Sequence, residues 1–542
     1  MQPQSLFRYL PCTLYALLAL AFVLSFLATL WMVFYFPVYT DEIFWKLMIA
    51  RLETDHGKLV YLFAQCSEGQ WIDAPLTWYP AMSINSWLYE DASQPWRLRV
   101  HGWFFFLVLL TLWTCLLKHR TGLGVTDAFL AVSAFLSVGV LPFLLVYARP
   151  EQPLLLLITL SLLVTVYKAP ANRLSWPIGV LVALSFALVA TLLAAIHPKG
   201  MFLFPVLMVL AWRQLKSRLL LVLLVLILGW TAYDTSQVWQ LRTTCPEFPG
   251  LMSTLRGLTL QPGGLLSNPL LFIQQGWSNV LDFGAYVRSI HFQDQYVADW
   301  LPAGKGGVIS TQARSVANIL LWIPLLAAVL VIASNWLSER RPRGRIDLLL
   351  WFSILLSLAS IVVLQTQKNF YEASIVWPLV LLLAIFSFSQ PVSESNREGV
   401  RIIIAVLMLV ALISGILREE RFGEFVSGWR QARLQQVEMI DHQNQGLRDF
   451  ARKECGIEAS AQRLVLDKDT YQAFWNHEQP IFLDYASGWW AAESNVRETF
   501  RKRRVQGLVA LCTNIAEPDR SRAIEFGSYC CISVRRASLS DH

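Results

Sequence analysis

Long apolar runs, separated by short polar connectors, dominate this chain up to about residue 418. A helix needs about 20 predominantly apolar residues to cross a bilayer. On that criterion the pattern predicts about eleven spans, and the chain is expected to be a polytopic α-helical membrane protein. The predicted spans cover roughly residues 12–36, 99–117, 124–145, 151–168, 174–196, 200–212, 218–235, 315–337, 346–364, 371–389 and 400–417.

Basic residues collect in every second connector. Loops rich in lysine and arginine remain on the cytoplasmic side of the membrane. The N-terminus is therefore expected in the cytoplasm and the C-terminal tail outside, because an odd number of spans separates them. The first run is too long for a cleaved signal peptide, so it is expected to remain as an anchor. The basic connectors contain Lys118, His119 and Arg120; Lys168 and Arg173; Arg213, Lys216 and Arg218; Arg340, Arg341, Arg343 and Arg345; and Arg397 and Arg401.

Two of the predicted outer loops are too long to be simple connectors. Residues 37–98 combine an acidic helix start with a polar and aromatic stretch, where a second amphipathic segment could lie on the membrane surface. Residues 236–314 are rich in glycine and proline, with scattered aromatic residues. Loops of this length are usually functional or disordered. The aromatic content favours a lid.

The composition becomes that of a soluble domain after about residue 418. A helical segment leads into the probable strands RLVLD, IFLDY, RVQGLVALC and CCISVRR, with helical stretches between them. Strands that alternate with helices predict a small α/β domain. We therefore expect a transmembrane module over residues 1–417 and an extracytoplasmic α/β domain over residues 418–542.

The overall composition supports membrane insertion and excludes some other classes. Of 542 residues, 55% are hydrophobic and 15% are charged, and the mean hydropathy is +0.45. The formal net charge is +7, but most basic residues flank predicted spans, so they indicate topology and not nucleic-acid binding. The sequence has no GxxxxGK[ST] loop for nucleotide-driven transport and no HExxH zinc-protease motif.

Six of the eight cysteines fall on the predicted outer side. An even number of cysteines in an oxidising compartment favours disulfides, whose connectivity a sequence does not give. Cys512 with either Cys530 or Cys531 is the favoured pair, because these residues flank terminal strands of one domain. Free thiols in a reducing compartment are the alternative.

Two adjacent carboxylates, Asp41 and Glu42, follow the first span at the start of a probable second helix. One interpretation is structural: Thr40 caps the helix, and acidic residues in its first turn complement the helix dipole. The other is catalytic, since a carboxylate at the mouth of a helical bundle is well placed as a general base. Both can hold at once, because a helix N-terminus keeps an aspartate ionised.

Several short motifs resemble those of the GT-C superfamily of membrane glycosyltransferases, in the branch of protein O-mannosyltransferases and bacterial aminoarabinose transferases. They are YTDEIFWKLMIAR after the first span, DAPLTWYP before the second, YARPEQPLLLL entering the fourth, and HPKG and QKNFYEASIVWP at later outer edges. The resemblance covers roughly residues 10–420. It implies a GT-C-like bundle, a polyprenyl-phosphate sugar donor and an outward-facing site. It also implies that Asp41 is the base and Glu42 a supporting or metal-binding carboxylate.

The donor phosphate needs cationic partners on the outer side. Aminoarabinose transferases usually carry a lysine before the second span, but this chain has Asp73 there. Asp73 is interpreted either as a turn residue or as a ligand of a metal or of the acceptor. Lys199 and Lys368 are the first candidates and Arg149 the next, because each lies at an outer span edge; lipid-edge snorkelling is the structural alternative. Supporting roles are predicted for His197, Glu151 and Tyr371. The alternative for Glu151 is a pair with Arg149 or a cap on its own helix. The alternative for His197 and Tyr371 is that they are ordinary residues of the membrane interface.

The leading hypothesis is an inverting glycosyltransferase of the bacterial inner membrane, with its C-terminal domain in the periplasm. Its partners would be a polyprenyl-phosphate-linked sugar, a lipid, glycan or protein acceptor and membrane lipids, but no nucleic acid. No cofactor is assigned beyond a divalent metal at Asp41 and Glu42, if one is present. The alternatives are a transporter or flippase of lipid-linked sugars, and an oligosaccharide ligase or polymerase.

Overall fold

A computed structural model gives the fold of the chain. It describes residues 3–34, 42, 58–60, 71–73, 84, 95–147, 149–167, 176–215, 217–242, 259–260, 263–282, 312, 316, 345–366, 372–388, 391–392, 394–457, 464–467, 470–474, 480–483, 500–501, 505–515, 517 and 519–533. The predicted span 315–337 and the site candidates Asp41, Lys368 and Tyr371 lie outside these residues, apart from position 316.

The described part of the chain is mostly helical, and its helices follow the apolar runs. Their bounds are α1 Pro3–Val33, α2 Pro95–Thr121, α3 Val125–Leu136, α4 Leu141–Val146, α5 Glu151–Tyr167, α6 Trp176–Ile196, α7 Phe204–Gln214, α8 Arg218–Arg242, α9 Pro269–Leu281, α10 Arg345–Leu364, α11 Ala373–Ser387 and α12 Arg397–Cys455. A single helical turn, Gly264–Ser267, precedes α9, and a 3-10 helix, Pro198–Leu203, precedes α7.

Five helical segments in the described residues are long and apolar enough to cross a membrane. They are Thr13–Val33, Leu98–Thr121, Trp176–Ile196, Arg218–Gln240 and Arg397–Arg418. Four shorter apolar helices accompany them, at Val125–Leu136, Glu151–Val166, Leu348–Leu364 and Ala373–Ser387. The chain is thus an integral membrane protein by the length and composition of its helices, whereas the total of eleven spans stays a prediction.

The third predicted span is not one continuous helix. It divides into α3 and α4, and between them Gly139 adopts a left-handed backbone with φ of +55°. Arg418 of α12, fully buried, donates to the carbonyl oxygens of Ser137 and Gly139 at 2.7 and 2.6 Å, and to Thr29 Oγ1 at 3.1 Å. A helix break exposes carbonyls that need donors, and the guanidinium supplies them inside the bundle.

A mixed five-stranded sheet forms after α12. Its strands are β3 Leu464–Leu466, β4 Pro480–Phe482, β5 Gly507–Leu511, β6 Ile524–Phe526 and β7 Tyr529–Ser533, and a separate hairpin pairs β1 Lys58–Val60 with β2 Trp71–Asp73. The order is β4-β3-β5-β7-β6, with β4, β3 and β5 parallel and the other pairs antiparallel. Four strands overlap the segments that the sequence predicts. The short strand β6 is an addition.

Two disulfides hold strand β7. Cys512 is bonded to Cys530 and Cys455 to Cys531. Neighbouring residues of a strand point to opposite faces of the sheet, so the adjacent cysteines reach different partners. One bond therefore ties β7 to the end of β5, and the other ties it to the last residue of α12.

The chain divides into two compact units. The first comprises Met1–Phe36, Arg99–Thr235 and Arg256–Ser427, and the second comprises Pro37–Leu98, Ser236–Leu255 and Gly428–His542. Segments of two predicted outer loops therefore belong to the same unit as the C-terminal sheet. The sequence-based boundary between residues 417 and 418 stays a prediction, and α12 runs through it without interruption.

Candidate functional site: a buried ion cluster

Charged residues at the beginnings of three helices or helical turns meet inside the first unit. Arg149 precedes α5, Glu151 is the first residue of α5, and Glu372 directly precedes α11. Lys199 belongs to the 3-10 helix before α7. Carboxylates near helix N-termini are favoured by the helix dipole, which explains why both acids occupy such positions.

Local backbone structure fixes the direction of Lys199. His197 caps the 3-10 helix, with its Nδ1 accepting the backbone N–H of Lys199 at 3.0 Å, and Pro198 occupies the first helical position. Gly200 lies against the backbone carbonyl of Leu193 so closely that a Cβ atom would collide with it. This tight turn is the structural reason for the HPKG sequence.

The ion cluster is formed by Arg149, Glu151, Lys199 and Glu372. Arg149 makes a two-pronged contact with Glu151, with its Nε 3.0 Å from Oε2 and its NH2 2.9 Å from Oε1. The Lys199 ammonium lies 3.3 Å from the same Glu151 Oε1 and 2.7 Å from Glu372 Oε1. Two cations from different connectors thus share one carboxylate oxygen.

The cluster is buried and formally neutral. Lys199 has 12% of its side chain exposed, and the other three side chains have 4% or less. Isolated charges in such surroundings cost several kcal/mol each, and two cations beside two carboxylates offset that cost. Charged groups inside membrane bundles commonly mark substrate or ion pathways, so the cluster is a functional candidate as well as a structural link.

Glu372 retains unused capacity to accept hydrogen bonds. Its Oε2 atom is buried and has no hydrogen-bond partner among the residues that the structure describes. An unpartnered buried acceptor costs free energy, and a hydroxyl group of a ligand could satisfy it. The cluster therefore offers cations suited to a phosphate beside an acceptor suited to a polyol.

The structure brings together four of the site residues that the sequence predicts: Arg149, Glu151, His197 and Lys199. Glu151 pairs with Arg149, which was one of the two alternatives for it. Asp73 lies in β2, paired with Lys58. Glu42 is helical and fully buried, and it belongs to the second unit. The catalytic and phosphate-binding roles of all these residues stay predictions.

Glu372 was missed at the level of the sequence. It lies in the motif QKNFYEASIVWP, four residues after Lys368 and directly before an apolar run. Glu372 has the same feature that identifies Glu151 in the sequence. Both are carboxylates at the outer edge of a predicted span. What the sequence does not reveal is that both acids bind one lysine.

Potential metal ligands come together at one place in the described residues. The one grouping of potential ligands found among them is Cys512, Glu525 and Cys530. Both cysteines are in a disulfide, so their sulfur atoms are not available as thiolate ligands. The suggested metal at Asp41 and Glu42 stays an expectation, because Asp41 lies outside the described residues.

Comparisons with known proteins give little further information. No protein-family model and no curated protein matches the sequence. Among solved structures, the chain is similar to the archaeal oligosaccharyltransferase AglB from Archaeoglobus fulgidus, solved in complex with an inhibitory peptide and a dolichol-phosphate. The match has 12% identity and a TM-score of 0.41, over 93% of this chain and 70% of that one. A likeness of this degree does not define a shared fold or activity.

Proposed function

We propose that this chain is a membrane glycosyltransferase of GT-C architecture, which transfers a sugar from a polyprenyl-phosphate carrier to an acceptor. The observation that carries the proposal is the shared contact of Arg149 and Lys199 with one buried carboxylate oxygen. A phosphate that becomes a leaving group needs positive charge at its oxygens. Arginine supplies a planar fork for that purpose and lysine a compact point charge. In this proposal Lys368 adds a third cation.

The reaction is a single displacement. Asp41 takes the proton of the acceptor hydroxyl, and the hydroxyl oxygen forms a bond to the anomeric carbon of the sugar. The bond from that carbon to the phosphate oxygen breaks, and its electron pair remains on the polyprenyl phosphate. One base and one leaving group give inversion at the anomeric carbon. Glu42 supports Asp41, or binds a divalent metal if the enzyme uses one.

The proposal places the reaction on the outer face of a bacterial inner membrane, with eleven spans and a periplasmic C-terminal domain. Two observations support that side. The disulfides of Cys455 with Cys531 and of Cys512 with Cys530 are typical of an oxidising compartment. The basic connectors all fall on the opposite side of the predicted topology.

The test is sugar transfer by the purified full-length chain in proteoliposomes that contain undecaprenyl-phosphate-linked sugars. Wild-type protein is expected to release undecaprenyl phosphate and glycosylate an added acceptor, and Asp41→Asn is expected to lower that rate by about 100-fold or more. Normal transfer by a folded Asp41→Asn protein would show that the base is another residue. Movement of the intact donor between leaflets without product would establish the flippase alternative instead.

A further inference from the structure

Helix α9 has an apolar stripe that no described element of the protein covers. The helix starts at a cap formed by Asn268, whose Oδ1 accepts the backbone N–H of Leu271 at 3.2 Å, with Pro269 at the first position. The chain has no charged residue from position 257 to position 281. This segment belongs to the long loop 236–314, for which the sequence favours a lid.

One side of α9 is fixed to the C-terminal end of α10. The Asn279 amide donates to the carbonyl oxygen of Val363 at 2.6 Å. In the segment that precedes α9, the backbone N–H of Leu260 donates to the carbonyl oxygen of Leu364 at 2.7 Å. Gly276 allows close packing, because a Cβ atom there would lie 3.1 Å from Val363 Cγ1. The position of α9 is therefore set by the last turn of α10.

A second side of α9 is apolar and exposed. Its four residues follow the spacing i, i+3, i+7 and i+11, which places them on one face of a helix. They are between 62% and 77% exposed, and they are Leu270, Ile273, Trp277 and Leu281. A third side is exposed and mostly polar: it carries Gln274, Gln275 and Ser278, together with Leu271, which is 47% exposed. The helix thus has a protein side, an apolar side and a mostly polar side.

Helix α10, against which α9 packs, also has an exposed apolar stripe. Along α10 the exposed residues Leu348, Phe352 and Leu356 recur every four positions, on one of the apolar helices of the bundle. The same face rises toward Val363, against which α9 packs. In a membrane protein such an exposed apolar stripe faces lipid chains. Because Gly276 packs against Val363, α9 lies at the end of this face of α10.

We propose that α9 lies in the bilayer interface at the C-terminal end of α10, with Leu270, Ile273, Trp277 and Leu281 buried among lipid chains. Trp277 takes the position that tryptophan commonly occupies at the membrane boundary. Many interfacial helices also use lysine and arginine to bind anionic lipids. This one has no such residues, so burial of apolar surface alone holds it, and α9 marks the depth at which α10 leaves the membrane.

The test is photo-crosslinking of the full-length protein in vesicles of phosphatidylcholine. A benzophenone amino acid replaces one residue at a time, either in the stripe (Leu270, Ile273 or Trp277) or on the mostly polar side (Gln275 or Ser278). Leu181 on α6, exposed on an apolar candidate span, is the positive control, and Glu525 in the C-terminal sheet is the negative control. Lipid adducts are measured by mass spectrometry.

The proposal requires stripe positions to give lipid adducts at a yield near that of position 181 and several-fold above positions 275 and 278. The yield should not change when anionic lipid is added, because α9 carries no charge. Equal yields on both sides of α9 would overturn the proposal. Crosslinks from the stripe to a second copy of the protein, without lipid adducts, would also overturn it and would identify a dimer contact.

Discussion

Buried carboxylates occur both in the helical unit and in the C-terminal sheet, and the two places satisfy them in different ways. In the sheet, Asp467 follows β3, and four neutral donor groups bind its carboxylate. Its Oδ1 accepts the backbone N–H and the hydroxyl of Thr470, both at 2.8 Å. Its Oδ2 accepts the backbone N–H of Leu511 at 2.7 Å and the amide of Asn514 at 2.9 Å.

In the helical unit, Glu151 and Glu372 depend on cations. Arg149 and Lys199 approach them at 2.7 to 3.3 Å, and one oxygen of Glu372 has no partner within the described ranges. The donors of Asp467 are mostly backbone groups and short side chains, which cannot leave without local unfolding. A lysine side chain can exchange one anion for another. Asp467 therefore has a structural role, whereas the ion cluster is suited to bind a ligand.

The largest expected effect comes from Lys199→Met. This change leaves Glu151 and Glu372 with one cation between them, so we expect a stability loss of about 3–5 kcal/mol. Under the proposed function Lys199 binds the donor phosphate, so we also expect transfer to fall by about 100-fold or more. Chemical unfolding in detergent and sugar transfer in proteoliposomes measure the two effects.

The double variant Lys199→Met with Glu372→Gln separates the two roles of the cluster. It restores equal numbers of positive and negative charges, so stability should recover by more than half. Transfer should remain low, because the cation is still missing. If activity returned together with stability, the cluster would be structural and would resemble Asp467 after all.

The two disulfides are expected to differ in strength according to the length of chain that each closes. Cys455 and Cys531 are separated by 76 residues, and Cys512 and Cys530 by 18. In the chain-entropy account, replacing the first pair by serines costs about 4.5 kcal/mol and replacing the second about 3 kcal/mol. All four cysteines are buried, so each pair is a control for the other. Pulse proteolysis in urea measures the costs, and the reverse order would contradict the entropic explanation.

Asp467→Asn tests the structural half of the comparison. The new amide group has to face donors, so at least one buried N–H loses its partner, and we expect a cost of about 1–3 kcal/mol. Transfer per folded molecule should be unchanged. Asp449→Asn is the control, because its pair with Arg452 is exposed and worth less than about 1 kcal/mol. A selective loss of transfer in Asp467→Asn would give this domain a direct role in the reaction.

The smallest effect is expected for Arg401→Met. Arg401 lies 3.3 Å from Asp127, but 53% of its side chain is exposed. Water and salt screen such a pair, so the expected cost is below about 1 kcal/mol and transfer stays normal. A thermal unfolding series at two salt concentrations checks this. A cost equal to that of Lys199→Met would show that burial is not what distinguishes the ion cluster.

The sequence by itself determined the local features of this protein. Apolar runs predicted most of the described helices, although α12 extends to Cys455, far beyond its predicted span, and α9 lies in a segment predicted as a loop. Strands β3, β4, β5 and β7 overlap the segments whose composition predicted them. Arg149, Glu151 and Lys199 were identified because they lie at span edges. Hydrophobic periodicity is a property of one segment, so a single segment is enough to reveal it.

Only the tertiary structure decided which segments meet. Lys199 and Glu151 are 48 positions apart, and Glu372 is far from both in the chain. The hydrophobic pattern of the sequence does not show that these three residues are in contact. It also does not show that Cys512 pairs with Cys530 and not with Cys531. The break between α3 and α4 also depends on a distant residue, Arg418, which satisfies the exposed carbonyls. Whether a charge is buried, and which donor it meets, depends on segments that are far apart in the chain. The ion cluster is therefore visible only in the folded structure.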